Sequence, residues 1–394
     1  MTETSSLTTD AILDAERNQQ VPLYAKRDIA LVRGEGAYLY DNDGNRYLDA
    51  MSNYGVAVLG HAHPRFAAAV SDQLGILTTG HQSFGSDVRA QLLTELDTIK
   101  PATLSRSFLS NSGTEAMEAA IKFARAASGK HRFVAIRRGY HGRTLGALSV
   151  TADKKYREPF EPLPIPNAHV GFGDLEALEA ALDDDTAAVV LEPIQGEGGI
   201  HVLPVEYLQA VRELTQSRGV YLIADEIQSG FRTGAPFVSV AAGIVPDVVV
   251  TAKALANGFP IGLTLTTEEI SGAMPGGAHG STFGGNPLAC RASLETLRIL
   301  REDNLYEQAQ AIGTQIIERL QALESDKIRA VRGSGLMIGI EFKQKAMPVL
   351  RALQENGILA LPAGNLVLRL LPPMIWEQQQ VDELLAGFET VLAQ

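Results

Sequence analysis

The sequence predicts an α/β protein: a large domain with a mostly parallel sheet, followed by a smaller α+β domain. Two observations carry this. Four short runs, 133–136, 187–191, 220–224 and 248–251, are apolar and rich in β-branched residues, as strands covered on both faces must be. Helical patterns at 114–127, 175–182 and 205–218 separate them, so from about 62 to 265 strand and helix alternate.

The flanking segments read differently. Residues 1–20 look like a polar tail running into a short helix. Between 29 and 50 the apolar alternation, broken at Gly34 and at Asp41-Asn42-Asp43-Gly44, predicts two or three small antiparallel strands. After about 290 come two long amphipathic helices, short strands near 335–342 and 366–370, and a final helix. The expected division is an amino-terminal segment (1–50) joining the small domain, a large domain (51–290) and a small carboxyl-terminal domain (291–394). No internal repeat is present, and Asp183-Asp184-Asp185 reads as a solvated turn.

Composition narrows the function. A net charge of -12 disfavours nucleic acid and anionic membranes as general partners, while leaving room for a local basic pocket. With Cys290 as the only cysteine there is no intrachain disulfide and no cysteine cluster for a metal, so no metal site is expected and a reducing, cytoplasmic setting fits. Residues 1–10 lack the pattern of a signal peptide. The apolar stretch 237–250 is interrupted by Ser239, Pro246 and Asp247, so no membrane span is expected.

In open α/β sheets ligands sit at the carboxyl ends of the strands. There the chain carries Ser110-Asn111-Ser112-Gly113-Thr114-Glu115 opening a helix, then Glu192, Asp225 and Lys253 after three successive strands. A helix start exposes N–H groups to an anion; the plainer alternative is a cap using Glu115 or Glu118. Strand-end charges are commonly mere surface, but a lysine, an acid and an anion site on one sheet edge suit pyridoxal phosphate. Lys253 would bond the aldehyde, Asp225 would pair with the pyridine nitrogen, and Ser112, Gly113 and Thr114 would hold the phosphate. No G-x-G-x-x-G follows the first strands, which removes the main support for a nicotinamide.

Six segments, 110–125 (SNSGTEAMEAAIKFAR), 139–144 (GYHGRT), 192–199 (EPIQGEGG), 225–230 (DEIQSG), 251–262 (TAKALANGFPIG) and 280–287 (GSTFGGNP), resemble the class III aminotransferases in order and spacing. The similarity runs from about Arg33 to the end. It implies the type I pyridoxal-phosphate transferase fold, with a mostly parallel seven-stranded sheet, in a homodimer with shared active sites. Lys253 would be imine lysine and proton carrier. Tyr140 and Ile227 would cover the ring faces, Gln228 would bond the ring hydroxyl, and Thr282 would reach the neighbouring subunit's phosphate. Two arginines would bind substrate carboxylates, whose geometry suits the planar guanidinium fork. Arg143 would take the far carboxylate, and Arg369 the α-carboxylate of glutamate or 2-oxoglutarate. Glu197 would pair with Arg369 in the other half-reaction.

Tyr24 and the stretch 332–339 resemble acetylornithine aminotransferases. Tyr54-Gly55-Val56-Ala57 and 343–348 resemble the lysine-pathway branch, whose substrate is attached to an amino-carrier protein. The implied reaction transfers the ω-amino group of N-acetylornithine or carrier-linked lysine to 2-oxoglutarate, with the two donors level. Alternatives are free ornithine, a γ-aminobutyrate-type donor, an aminomutase on the same fold, or a non-catalytic regulator. Lys26-Arg27, Arg137-Arg138 and Lys154-Lys155 are the candidate basic rim for an acidic carrier. One departure stands out: the loop 229–234 is one residue shorter than the family pattern. His61, His63, His141, Cys290 and Trp376 read as structural, and the glycines of 276–285 as a loop carrying Thr282.

Overall fold

The computed structural model describes residues 7–393. The first six positions of the expected tail lie outside the described residues. A helix, Thr9–Gln19, follows, its first turn capped by the Thr8 hydroxyl accepting from the Ala11 N–H.

Seven strands form the large sheet, in spatial order Arg106–Ser110, Gly262–Thr266, Val248–Thr251, Tyr221–Asp225, Thr186–Leu191, Arg132–Ile136 and Asn167–Val170. Only Gly262–Thr266 is antiparallel to its neighbours; the other six share one direction, so their carboxyl ends lie on one edge. The four expected runs are all strands, and the helices Gly113–Ser128, Leu175–Ala181 and Val205–Ser217 occupy the expected crossovers. Every residue of Thr186–Leu191, Val248–Thr251 and Gly262–Thr266 is buried. Three sheet strands lie outside the four expected runs, and one of them, Arg106–Ser110, leads straight into the Ser112 helix start. Asn167–Val170 is a half-buried edge strand without an apolar run, and Gly262–Thr266 follows the lysine turn with no crossover helix to announce it.

The helix Gly113–Ser128 lies close on the sheet because its inner face is mostly alanine: Ala116, Ala119, Ala120 and Ala124 are fully buried with Met117 and Ile121. Its first turn is thereby fixed at the carboxyl edge.

The amino-terminal strands are three, Leu31–Glu35, Tyr38–Asp41 and Arg46–Asp49, antiparallel as expected. The last pairs in parallel with Ile358–Leu359, tying both ends of the chain into one sheet. A second antiparallel sheet has the order Ile328–Ser334, Met337–Phe342, Val367–Leu370, Leu361–Ala363. Arg369 lies on an inner strand there, opposite Gly339 on one side and Leu361 on the other. The helices Pro287–Glu302, Leu305–Gln321, Met347–Glu355 and Gln378–Ala393 complete this region. One continuous core joins Leu263 of the large sheet with Cys290, Ile340, Trp376 and Phe388. Among the described residues no helix is long and apolar enough to cross a membrane.

Candidate active site

A cavity of about 640 Å³ opens at the carboxyl edge of the large sheet, and it brings together Ser112, Gly113, Thr114, Tyr140, Arg143, Glu197, Asp225, Ile227, Gln228 and Lys253, with Tyr24 and Tyr54 at its walls. The helix beginning at Gly113 has Ser112 as its cap, the hydroxyl accepting from Glu115 N–H; the Ser112 carbonyl takes the Ala116 N–H. The Gly113 and Thr114 amides therefore have no acceptor within the helix, and they line the cavity. Glu115 does act in the cap, accepting from Asn111 N–H at 2.5 Å.

Asp225, 3% exposed, ends its strand at the cavity floor. Its Oδ2 lies 2.7 Å from His141 Nδ1, and its Oδ1 accepts from Ile227 N–H at 3.1 Å. Burial works against a charged His141, but the hydrogen bond and charge of Asp225 override it and raise the imidazole above its ordinary pKa. Glu192 is buried beside this pair. It accepts from the Tyr140 and Gly196 amides at 2.9 and 3.0 Å, and burial, with Asp225 adding to it, pushes its carboxyl up.

Lys253 opens the turn after Val248–Thr251 with φ at +42°, a left-handed conformation that a residue with a Cβ adopts only when its surroundings force it, at a cost of about 1–3 kcal/mol. Asn257, also left-handed, anchors the turn by accepting from Leu59 N–H at 2.8 Å. Enclosure in the cavity wall pushes the Lys253 ammonium down to about 8; Glu197 opposes the shift and Arg369 adds to it.

Arg369 is fully buried. Its Nη1 donates to Glu197 Oε1 at 2.7 Å and to Gln228 Oε1 at 2.8 Å, while its Nε has no acceptor. Burial disfavours the Glu197 carboxylate, but Arg369 outweighs it and holds Glu197 below the usual range. The Tyr54 ring lies over the guanidinium, 5.4 Å from ring centroid to Cζ. At the mouth, Arg143 donates from Nε to the Tyr140 hydroxyl at 3.2 Å and sits 4.8 Å from the Tyr156 ring centroid. Thr282 is exposed and lies outside this cavity. Of the expected basic rim, Lys155 stands over Tyr156 at 4.5 Å; Lys26 is tied to Glu16, and Arg138 to His201 at 2.8 Å.

The sequence marks His141 as structural and gives it no partner. Its contact with Asp225 spans 84 positions, and only its place in the 139–144 segment marked it. In the sequence Glu192 is a strand-end acid without a role, and Tyr156 carries no signal. His61, read as structural, bonds Asp49 at 2.7 Å.

The donor set fits a phosphorylated pyridine aldehyde: free amides for a dianion, a carboxylate braced by imidazole for a ring N–H, and a lysine poised near neutrality. The space is also shaped, since a methyl on Gly113 would come within 2.8 Å of Ile227 Cδ1. Fold and site together define a pyridoxal-phosphate-dependent transferase. Residues 22–392 match the family described as aminotransferase class-III, and the chain belongs to that family. It is 46% identical to the [LysW]-aminoadipate semialdehyde transaminase of Deinococcus radiodurans, over 96% of this chain and 90% of that one. It is 41% identical to the acetylornithine aminotransferase of Methanothermobacter thermautotrophicus, over 95% and 96%. Among solved structures, the ornithine aminotransferase of Toxoplasma gondii superposes with a TM-score of 0.93 at 31% identity, covering 98% of this chain and 94% of that chain.

Proposed function

We propose that the enzyme moves the ω-amino group of an N-acylated basic amino acid, N-acetylornithine or carrier-linked lysine, to 2-oxoglutarate, giving the semialdehyde and glutamate. The observation that carries this is the buried Arg369, whose charge is matched by the mostly buried Glu197 at 2.7 Å and whose Nε is left without an acceptor. An arginine with a removable counterion suits an enzyme that must admit an α-carboxylate in one half-reaction and exclude it in the other. Relatives named for acetylornithine and for [LysW]-aminoadipate semialdehyde support the acyl-bearing donor.

In this reading Gly113 and Thr114 hold the cofactor phosphate, Asp225 keeps the ring nitrogen protonated, and His141 holds Asp225 in register. Tyr140 and Ile227 cover the ring, and Gln228 bonds its hydroxyl. When bound, the cofactor supplies an aldehyde carbon that exchanges amines and a ring that accepts the electron pair of the broken C–H bond. Lys253 Nζ carries the proton from the substrate carbon that bears nitrogen. With its pKa near 8, about one lysine in ten is neutral at pH 7, against very few at the ordinary value of 10.5. Arg143, steered by Tyr140 and Tyr156, takes the donor's far carboxylate, with Tyr24 and Tyr54 lining the passage. Glu197 pairs with Arg369 while the donor reacts, then yields to 2-oxoglutarate.

A homodimer is part of this proposal. Leu77, Phe84 and Phe283 are large, apolar and exposed. Arg89 links the segments that carry them, donating to the Phe84 and Gly285 carbonyls. An apolar face of this kind favours a partner subunit, and Thr282 beside Phe283 is then free to reach the partner's phosphate. A cytoplasmic setting fits the lone Cys290, whose buried thiol is pushed up to about 12.

The test compares acetylornithine, carrier-linked lysine, free ornithine, lysine and γ-aminobutyrate as donors. An acylated donor should exceed the others at least tenfold in kcat/KM. A preference for free ornithine removes the acyl-donor reading, and amino transfer without 2-oxoglutarate makes the enzyme an aminomutase.

A further inference from the structure

The loop after Asp225 folds inward. Phe231 and Arg232 are fully buried, and Arg232 forms no ion pair among the described residues. Its guanidinium donates from Nη1 to the Leu336 carbonyl at 3.1 Å and the Pro372 carbonyl at 3.4 Å, and from Nη2 to the Ser52 hydroxyl at 3.3 Å. Burial lowers its pKa to about 9, and Asp49 supports its charge only from a distance, so it remains a cation at neutral pH. A buried guanidinium held by neutral oxygens is costly to keep, which raises the question of what it holds.

It holds a turn. Ser52, Asn53, Tyr54 and Gly55 have φ of 37°, 50°, 62° and 86°, four successive residues in the left-handed region, three of them with side chains. Such a backbone persists only when its surroundings over-determine it. The Arg232 fork lies against this turn, since a Cβ on Gly55 would meet its Cζ, Nε and Nη2 at 3.3 Å. The Ser52 hydroxyl also donates to the Leu371 carbonyl at 2.6 Å, two residues beyond Arg369. One side chain therefore joins the loop that follows the cofactor residues, the turn that carries Tyr54, and the strand end that carries Arg369. Tyr54, in turn, covers the Arg369 guanidinium.

We propose that Arg232 is a positioning residue for the 2-oxoglutarate half of the reaction, locking the Ser52–Gly55 turn so that Tyr54 seats Arg369 for the α-carboxylate. This rests on the reading that Arg369 receives that carboxylate. Lysine cannot replace it, because a single ammonium cannot lie flat on Gly55 and reach both Ser52 and the two carbonyls.

The experiment follows each half-reaction of the full-length holoenzyme by cofactor absorbance, in Arg232→Lys, Tyr54→Leu and the double variant. Arg232→Lys should weaken 2-oxoglutarate binding at least tenfold and change the donor half-reaction at least fivefold less. The double variant should be no worse than the poorer single one. Equal losses in both half-reactions, no loss in either, or multiplying effects in the double variant overturn the inference. If Arg232→Lys does not fold, Ser52→Ala decides, with an expected loss of 2-oxoglutarate affinity of threefold or more and, for overturning, none. Arg369→Lys separates the two readings. If it keeps 2-oxoglutarate affinity, both fail; if it loses affinity while Arg232→Lys does not, the positioning role alone fails.

Discussion

Glu197 and Arg369 meet at 2.7 Å although 172 positions separate them, and the carboxylate is the more exposed of the two partners. The arginine is set in an inner strand of the small antiparallel sheet, whereas Glu197 follows the hairpin strand Ile194–Gln195. The partner that can swing is therefore the acid.

Replacing it should bias the enzyme toward α-carboxylates. In Glu197→Gln the buried guanidinium loses its counterion and is left to attract the substrate's. We expect the ratio of kcat/KM for glutamate to that for the ω-amino donor to rise about tenfold, a shift of about 1.4 kcal/mol. Single-turnover measurement of each half-reaction reads this directly, and an unchanged ratio removes the switch.

Lys253→Ala should lose the covalent link to the cofactor, seen as loss of borohydride-fixed cofactor on the chain, and about three or more orders of magnitude in rate. Asp225→Ala should retain the link yet slow turnover strongly, because the ring nitrogen loses its acid partner. Retained turnover in the first variant sinks the assignment of the lysine.

The depressed Lys253 pKa gives a pH signature in the apoenzyme. Only the neutral amine attacks an aldehyde, so the rate of cofactor capture should climb about tenfold per pH unit at low pH and level off above about 8. The sign follows from the direction of the shift: burial disfavours the ammonium, so the amine is freed well below its ordinary 10.5. A capture profile still climbing beyond pH 9 contradicts this enclosure.

Gly313 lies within the helix Leu305–Gln321, where alanine ordinarily stabilises by about 1 kcal/mol. Here a Cβ would come within 2.0 Å of the Gly335 carbonyl oxygen, which is backbone and cannot rotate away. Gly313→Ala should therefore destabilise by about 1–3 kcal/mol, lowering the midpoint of a denaturant titration. A neutral or stabilising result shows that the helix shifts freely.

The apolar face predicts its own test. Phe84→Asp and Phe283→Asp should turn a dimer into monomers in sedimentation and weaken cofactor retention, since Thr282 would lose the partner's phosphate. A dimer that survives both changes uses another surface.

Much of this architecture was legible along the chain. Runs such as 248–251, short, apolar and β-branched, read as covered strands, and parallel connectivity then puts Asp225 and Lys253 on one edge. Asn167–Val170 has no signature in the sequence because an edge strand half open to solvent needs no apolar run. The pairing of Arg46–Asp49 with Ile358–Leu359 has no local signature, since two residues of register leave no pattern.

The sequence by itself determined which strands end in an acid and a lysine and where a helix start offers amides. Only the tertiary structure decided who braces whom. His141 on Asp225 and the buried Arg232 beneath the Tyr54 turn are contacts between distant segments. Residue types announce what a group can do, but burial and long-range packing set its charge, its partner and its freedom to move.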